Sequence, residues 1–124
     1  MPWFELPVFN WYQGELSTIY AGQYIRSAQE NFPQARRLTA LEIEALAYLD
    51  TLSNDPTLNL SMEFKPGDMQ FVHNHQMLHS RTDFEDWPEL EKRRHLLRLW
   101  LAPRGARQLP PAYGQRYGSI EPGN

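Results

Sequence analysis

At 124 residues the chain is long enough for one domain, or part of one, with a modest core, and its 41% hydrophobic and 13% aromatic residues exclude a disordered composition. A net charge of −3, from 15 acidic against 12 basic side chains with no like-charge block, gives no support to nucleic-acid or anionic-membrane binding. The lack of cysteine excludes disulfides, thiolate metal sites and a cysteine nucleophile.

No apolar stretch is long enough to span a bilayer and no basic-then-apolar signal opens the chain, so a cytoplasmic protein is expected. Met1-Pro2-Trp3-Phe4 runs straight into strand-like sequence, as an internal methionine would. Leu6 to Tyr12 is rich in strand formers and Gln13-Gly14 supplies a turn. Leu16 to Ile25 reads as a second strand, bulged at Gly22 and passing into a helical turn near Ser27 to Glu30, with a helix as the alternative. The clearest helix starts at Thr39, where Thr39-Ala40-Leu41-Glu42 has the form of a capping box. Leu41, Ala45, Tyr48, Leu49 and Leu52 then fall on one helical face, and Asn54-Asp55-Pro56 ends the run.

Leu58 to Phe64 alternates apolar and polar residues as a half-buried strand does. Lys65-Pro66-Gly67-Asp68 is a turn, Met69 to His73 the next strand, and Asn74 its end or a tight bend. A loop from Phe84 to Leu90 leads to a last strand, Arg93 to Leu101. The Pro- and Gly-rich tail from Pro110 reads as irregular. There are no repeats and no domain boundary. The pattern predicts a mainly β fold with one or two helices.

In the last strand, period-two alternation puts Arg94, Leu96, Arg98 and Trp100 on one face, with the two arginines about 13 Å apart. Guanidiniums on a Leu-rich strand are costly to desolvate unless an anion meets them, and a pair of edge salt bridges is the plain alternative. His73-x-His75-x-x-x-His79 could form a self-contained three-histidine metal site of the cupin kind, but a bend at Asn74 works against it. Asp83, Glu85 and Asp86 are expected to be solvated, and His95 points away from the arginine face. Of the tryptophans only Trp100 shares that face.

Pro66-Gly67-Asp68, Asn74, His79 five residues later, and then Arg94-x-x-x-Arg98 resemble the C-terminal signature of the taurine dioxygenase-like family of Fe(II)/2-oxoglutarate-dependent oxygenases. Pro7-Val8-Phe9 and Leu16-Ser17 to Tyr24-Ile25 are similar to that family too, so the likeness covers most of the chain. The resemblance implies His79 as an Fe(II) ligand and Arg94 as the partner of the far carboxylate of 2-oxoglutarate. Arg98 would lie close by, assisting with co-substrate or substrate anions.

It also implies a double-stranded β-helix (jelly roll), here incomplete. The family draws its other two iron ligands from an upstream His-x-Asp/Glu motif, and no histidine here has an acid two residues later. Residues 1–124 are therefore expected to be the C-terminal portion of a single oxygenase domain that oxidises a small organic substrate, chiefly by hydroxylation. The truncated sheet would expose edges that favour homo-oligomers. Two other readings stand beside it: a non-catalytic jelly-roll binding module, and a small cupin-like metal protein.

Overall fold

A computed structural model describes residues 3–118. Two strands, β1 (Phe9–Tyr12) and β2 (Glu15–Thr18), form an antiparallel hairpin with Phe9 opposite Thr18 and Tyr12 opposite Glu15. Gln13 (φ 49°) and Gly14 (φ 79°) make the turn. Left-handed backbone at both central positions gives the twist that a two-residue hairpin needs, and Gly14 adopts it without strain. The Ile19 amide donates to the Val8 carbonyl at 2.9 Å and carries the ladder past the strand ends.

The stretch expected as a bulged second strand divides instead. Its strand stops at Thr18, and Gly22–Asn31 is helix α1. Ile25, Ala28 and Gln29 recur at helical spacing as its less exposed residues, so the helical period wins over β propensity.

Helix α2 (Ala40–Ser53) begins as expected. The Thr39 hydroxyl accepts from the Glu42 amide at 3.3 Å, and the Glu42 carboxylate accepts from the Thr39 amide at 2.8 Å. Arg36 forks onto the same carboxylate at 2.7 and 3.0 Å and, with the cap, brings the Glu42 pKa down to about 2. Thr39→Ala is expected to destabilise the chain by about 1 kcal/mol, read as a lower urea midpoint by far-UV circular dichroism. An unchanged midpoint would show that the cap contributes nothing.

The face α2 presents matches the expected one in part, with Leu49 and Leu52 half-buried. Leu41 and Tyr48 are exposed, whereas Ile43, Leu46, Ala47 and Asp50 line a cleft of about 370 Å³ against α1. The Tyr20 hydroxyl, donating to Asp50 Oδ1 at 2.5 Å, sets that rotation. Burial, then Asp50, pushes the Tyr20 pKa up to about 12.

Beyond α2 the expected strands at Leu58–Phe64, Met69–His73 and Arg93–Leu101 carry no ladder among the described residues. A strand is stable only when a neighbour satisfies its backbone groups; the first two of these segments touch across the Lys65–Asp68 turn, Gln70 Nε2 meeting Met62 Sδ at 3.2 Å, without forming a ladder. Their alternating apolar residues stay exposed, with Leu60 at 88% and Leu97 at 87%. The chain accordingly exposes 10891 Å², against about 6,900 Å² for a compact monomer of 14.6 kDa. The turns do form. Asp68 N–H donates to the Lys65 carbonyl at 3.0 Å with Gly67 at φ 96°, and the His73 carbonyl accepts from Gln76 and Met77 in a bend at Asn74.

The tail is more ordered than its composition suggests. A 3₁₀ turn at Pro111–Tyr113 runs into a short helix, α3 (Gly114–Tyr117), and Tyr113 is fully buried. With Ser17 and Thr18 it marks the best-packed part of the molecule, where hairpin, His75 bend and tail meet. No helix among the described residues is long and apolar enough to cross a membrane.

Candidate functional site

His79 lies in the irregular segment after the bend that Asn74 makes. Its Nδ1 is 3.2 Å from the Met77 carbonyl. A carbonyl only accepts, so Nδ1 is the donor in this contact, which orients the ring. Metal-binding imidazoles are commonly held this way, the ring oriented by a backbone oxygen. The side chain is exposed.

His73 and His75 do not join it. His75 turns to the hairpin, where its carbonyl accepts from the Thr18 amide at 2.8 Å and its Nδ1 faces the Thr18 carbonyl at 3.3 Å. Its ring packs at 5.1 Å from Tyr113 and 5.7 Å from Tyr117. No three His, Asp or Glu side chains converge on a metal-sized site among the described residues. A facial triad needs two histidines and a carboxylate, and no such set converges among the described residues.

Burial, with smaller contributions from His73 and Arg107, lowers the His75 pKa below its ordinary 6.5, although the Thr18 backbone opposes the shift. The folded chain then binds fewer protons here than the unfolded one. Stability from this group is full above pH 6.5 and is lost as pH falls through the lowered value. The melting temperature of 1–124 is expected to drop as pH falls from 6.5 through the lowered value, and by less in His75→Gln. Equal slopes in the two proteins would remove His75 from the account.

Arg94 is held at its backbone, its amide donating to Asp86 Oδ1 at 3.0 Å. Asp86, expected to be simply solvated, thus anchors the start of the arginine segment. Neighbouring Arg93 donates to the Trp87 and Pro88 carbonyls at 3.1 and 3.0 Å and ties off the same loop. The Arg94 guanidinium lies over the Phe84 ring at 5.2 Å, and that of Arg81 over the same ring at 4.5 Å. Arg94 and Arg98 are exposed, and neither takes part in an ion pair among the described residues. Trp100, on the arginine face by alternation, packs at 5.9 Å from Tyr117.

Sequence reasoning missed the supporting residues. The Asn10 amide donates to the Tyr113 hydroxyl at 3.2 Å, and Arg107 bridges Glu15 at 3.0 Å while donating to the Leu16 carbonyl at 2.6 Å. These contacts join positions about ninety or more residues apart, and no periodicity announces them. Phe84 could have been noticed, since an aromatic between two arginine-bearing segments is a natural stacking platform.

Comparison with known proteins matches residues 1–100 to the family described as taurine catabolism dioxygenase TauD, TfdA family. FR-33289 synthase of Streptomyces rubellomurinus is 32% identical over 114 residues, covering 88% of this chain and 32% of the synthase. A taurine hydroxylase-like protein of Stachybotrys chartarum is 50% identical over 42 residues, 34% of this chain and 11% of that protein. The chain thus spans about a third of the length of the synthase. No solved structure gives a significant match.

Proposed function

The chain belongs to the TauD, TfdA family of dioxygenases, and from that membership we propose that it is the C-terminal portion of a single jelly-roll Fe(II)/2-oxoglutarate-dependent oxygenase domain. The observation that carries the reading is the order Pro66-Gly67-Asp68, Asn74, His79, Arg94-x-x-x-Arg98, all inside the matched residues. A His79 ring oriented through Nδ1 by the Met77 carbonyl supports a role as iron ligand. Arg94 would fork onto the far carboxylate of 2-oxoglutarate, with Arg98 beside it. Iron and co-substrate, when bound, supply the oxidising chemistry, and the protein orients the substrate and excludes water.

The oxidised substrate would be a small organic molecule, hydroxylated in the usual outcome. The upstream His-x-Asp/Glu segment would complete both metal site and sheet. A cytoplasmic location and no nucleic-acid partner go with this reading, in line with the net charge of −3.

The test compares 1–124 with a protein in which an upstream segment bearing His-x-Asp/Glu precedes it. The longer protein is expected to form succinate from 2-oxoglutarate with Fe(II), and 1–124 alone to show neither turnover nor stoichiometric iron binding. Inactivity of the longer protein would favour a non-catalytic module. Tight one-to-one iron binding by 1–124, lost in His73→Ala or His75→Ala, would replace this reading with the three-histidine one.

A further inference from the structure

Two arginines reach a single aromatic ring from separate parts of the chain. The Cζ atoms of Arg81 and Arg94 lie 4.5 and 5.2 Å from the centre of Phe84, so the two guanidiniums are within about 10 Å of each other. Like charges this close repel, and the repulsion is relieved by a shared anion or by acidic partners. Among the described residues the acidic partners are absent. The ion pairs there belong to Arg36, Lys92 and Arg107. Asp83 and Glu85 flank Phe84 without an ion pair, and Asp86 spends Oδ1 on the Arg94 amide rather than on a guanidinium.

Stacking on a ring also has a geometric result. A guanidinium drawn to a ring face by the ring's quadrupole spends no N–H donor on that contact, so its donors stay available to an oxyanion. Phe84 therefore orients both groups without consuming their hydrogen-bonding capacity. Arg81 stands only two residues after His79 in the chain.

We propose that Arg81 and Arg94 form one carboxylate-binding pair mounted on Phe84, with Arg81 a second anion contact near the metal-ligand histidine. The proposal rests on the reading of Arg94 given above and adds Arg81 and Phe84 to it. The ligand class is an organic carboxylate. Its source is the far end of 2-oxoglutarate or an acidic group of the oxidised substrate, and Phe84 is a positioning residue for either.

The test uses 1–124 and glutarate, a five-carbon dicarboxylate that needs no iron. Arginine side-chain Nε–H resonances are followed by NMR at low ionic strength, with chloride-matched controls. Those of Arg81 and Arg94 are expected to move with one common midpoint. Arg81→Gln, Arg94→Gln and Phe84→Leu should each weaken binding about fivefold, and Arg104→Gln should not. All three altered positions are exposed, so folding is not at stake.

If Arg94 moves and Arg81 does not, this proposal falls while the reading of Arg94 survives. If neither moves, both fail. In the active longer protein, a raised 2-oxoglutarate KM in Arg81→Gln assigns the carboxylate to the co-substrate. An unchanged KM with weaker stimulation by the organic substrate assigns it to that substrate.

Discussion

Replacing His79 with alanine in the complete protein is expected to abolish succinate formation from 2-oxoglutarate. The ring is already oriented, with Nδ1 turned to the Met77 carbonyl. Losing a ligand's supporting contact costs roughly 10–100-fold in metal affinity or activity, and losing the ligand itself should exceed that range. Arg94→Ala should behave differently. It removes a charge-assisted bidentate contact worth about 2–3 kcal/mol, so the 2-oxoglutarate KM should rise by roughly 30- to 150-fold with turnover less affected. Iron binding measured alongside separates the two variants, because Arg94→Ala should retain the metal. An active His79→Ala protein would sink the assignment.

Tyr113→Ala should cause the largest loss of stability, about 3–5 kcal/mol. The side chain is fully buried, contacts the rings of His75 and Tyr117, and accepts from the Asn10 amide. Truncation would leave a cavity at the junction of hairpin, bend and tail. Tyr113→Phe keeps the ring and loses the hydroxyl, so it should cost only about 1 kcal/mol. Since small domains are commonly stable by only about 5–15 kcal/mol, the alanine variant should approach unfolding. Urea midpoints of 1–124 and both variants measure this. A loss below about 1 kcal/mol for Tyr113→Ala would mean that the tail does not dock.

What could be read in advance follows the range of the interactions. The capping box lies within four residues, and the Gln13-Gly14 and Pro66-Gly67 turns within two each, so local chemistry decides them. The hairpin and the start of α2 came out accordingly. The rotation of α2 did not, because it depends on Tyr20 meeting Asp50 thirty residues away. Nor did the tail, where Pro and Gly conceal a turn that exists only because Tyr113 finds Asn10 across 103 residues.

The alternating segments Leu58–Phe64 and Arg93–Leu101 are a different case. Their pattern states which side wants to be covered, but pairing is a property of two strands, and no ladder forms on them among the described residues. At the site, the roles of His79 and Arg94 came from the motif's likeness to a family, whereas the Phe84 platform needed coordinates.

The unusually large accessible surface has a calorimetric consequence. Heat capacity rises on unfolding because apolar groups become hydrated, and here much of that hydration exists before unfolding begins. Measured against a compact monomer of this mass, the chain hides about 30% less surface, so its heat-capacity increment should fall below the roughly 1.5–1.9 kcal/mol/K usual for 124 residues. Its curve of stability against temperature should therefore be flat, with a broad melt and little cold sensitivity. Adding the upstream segment proposed above should restore the curvature.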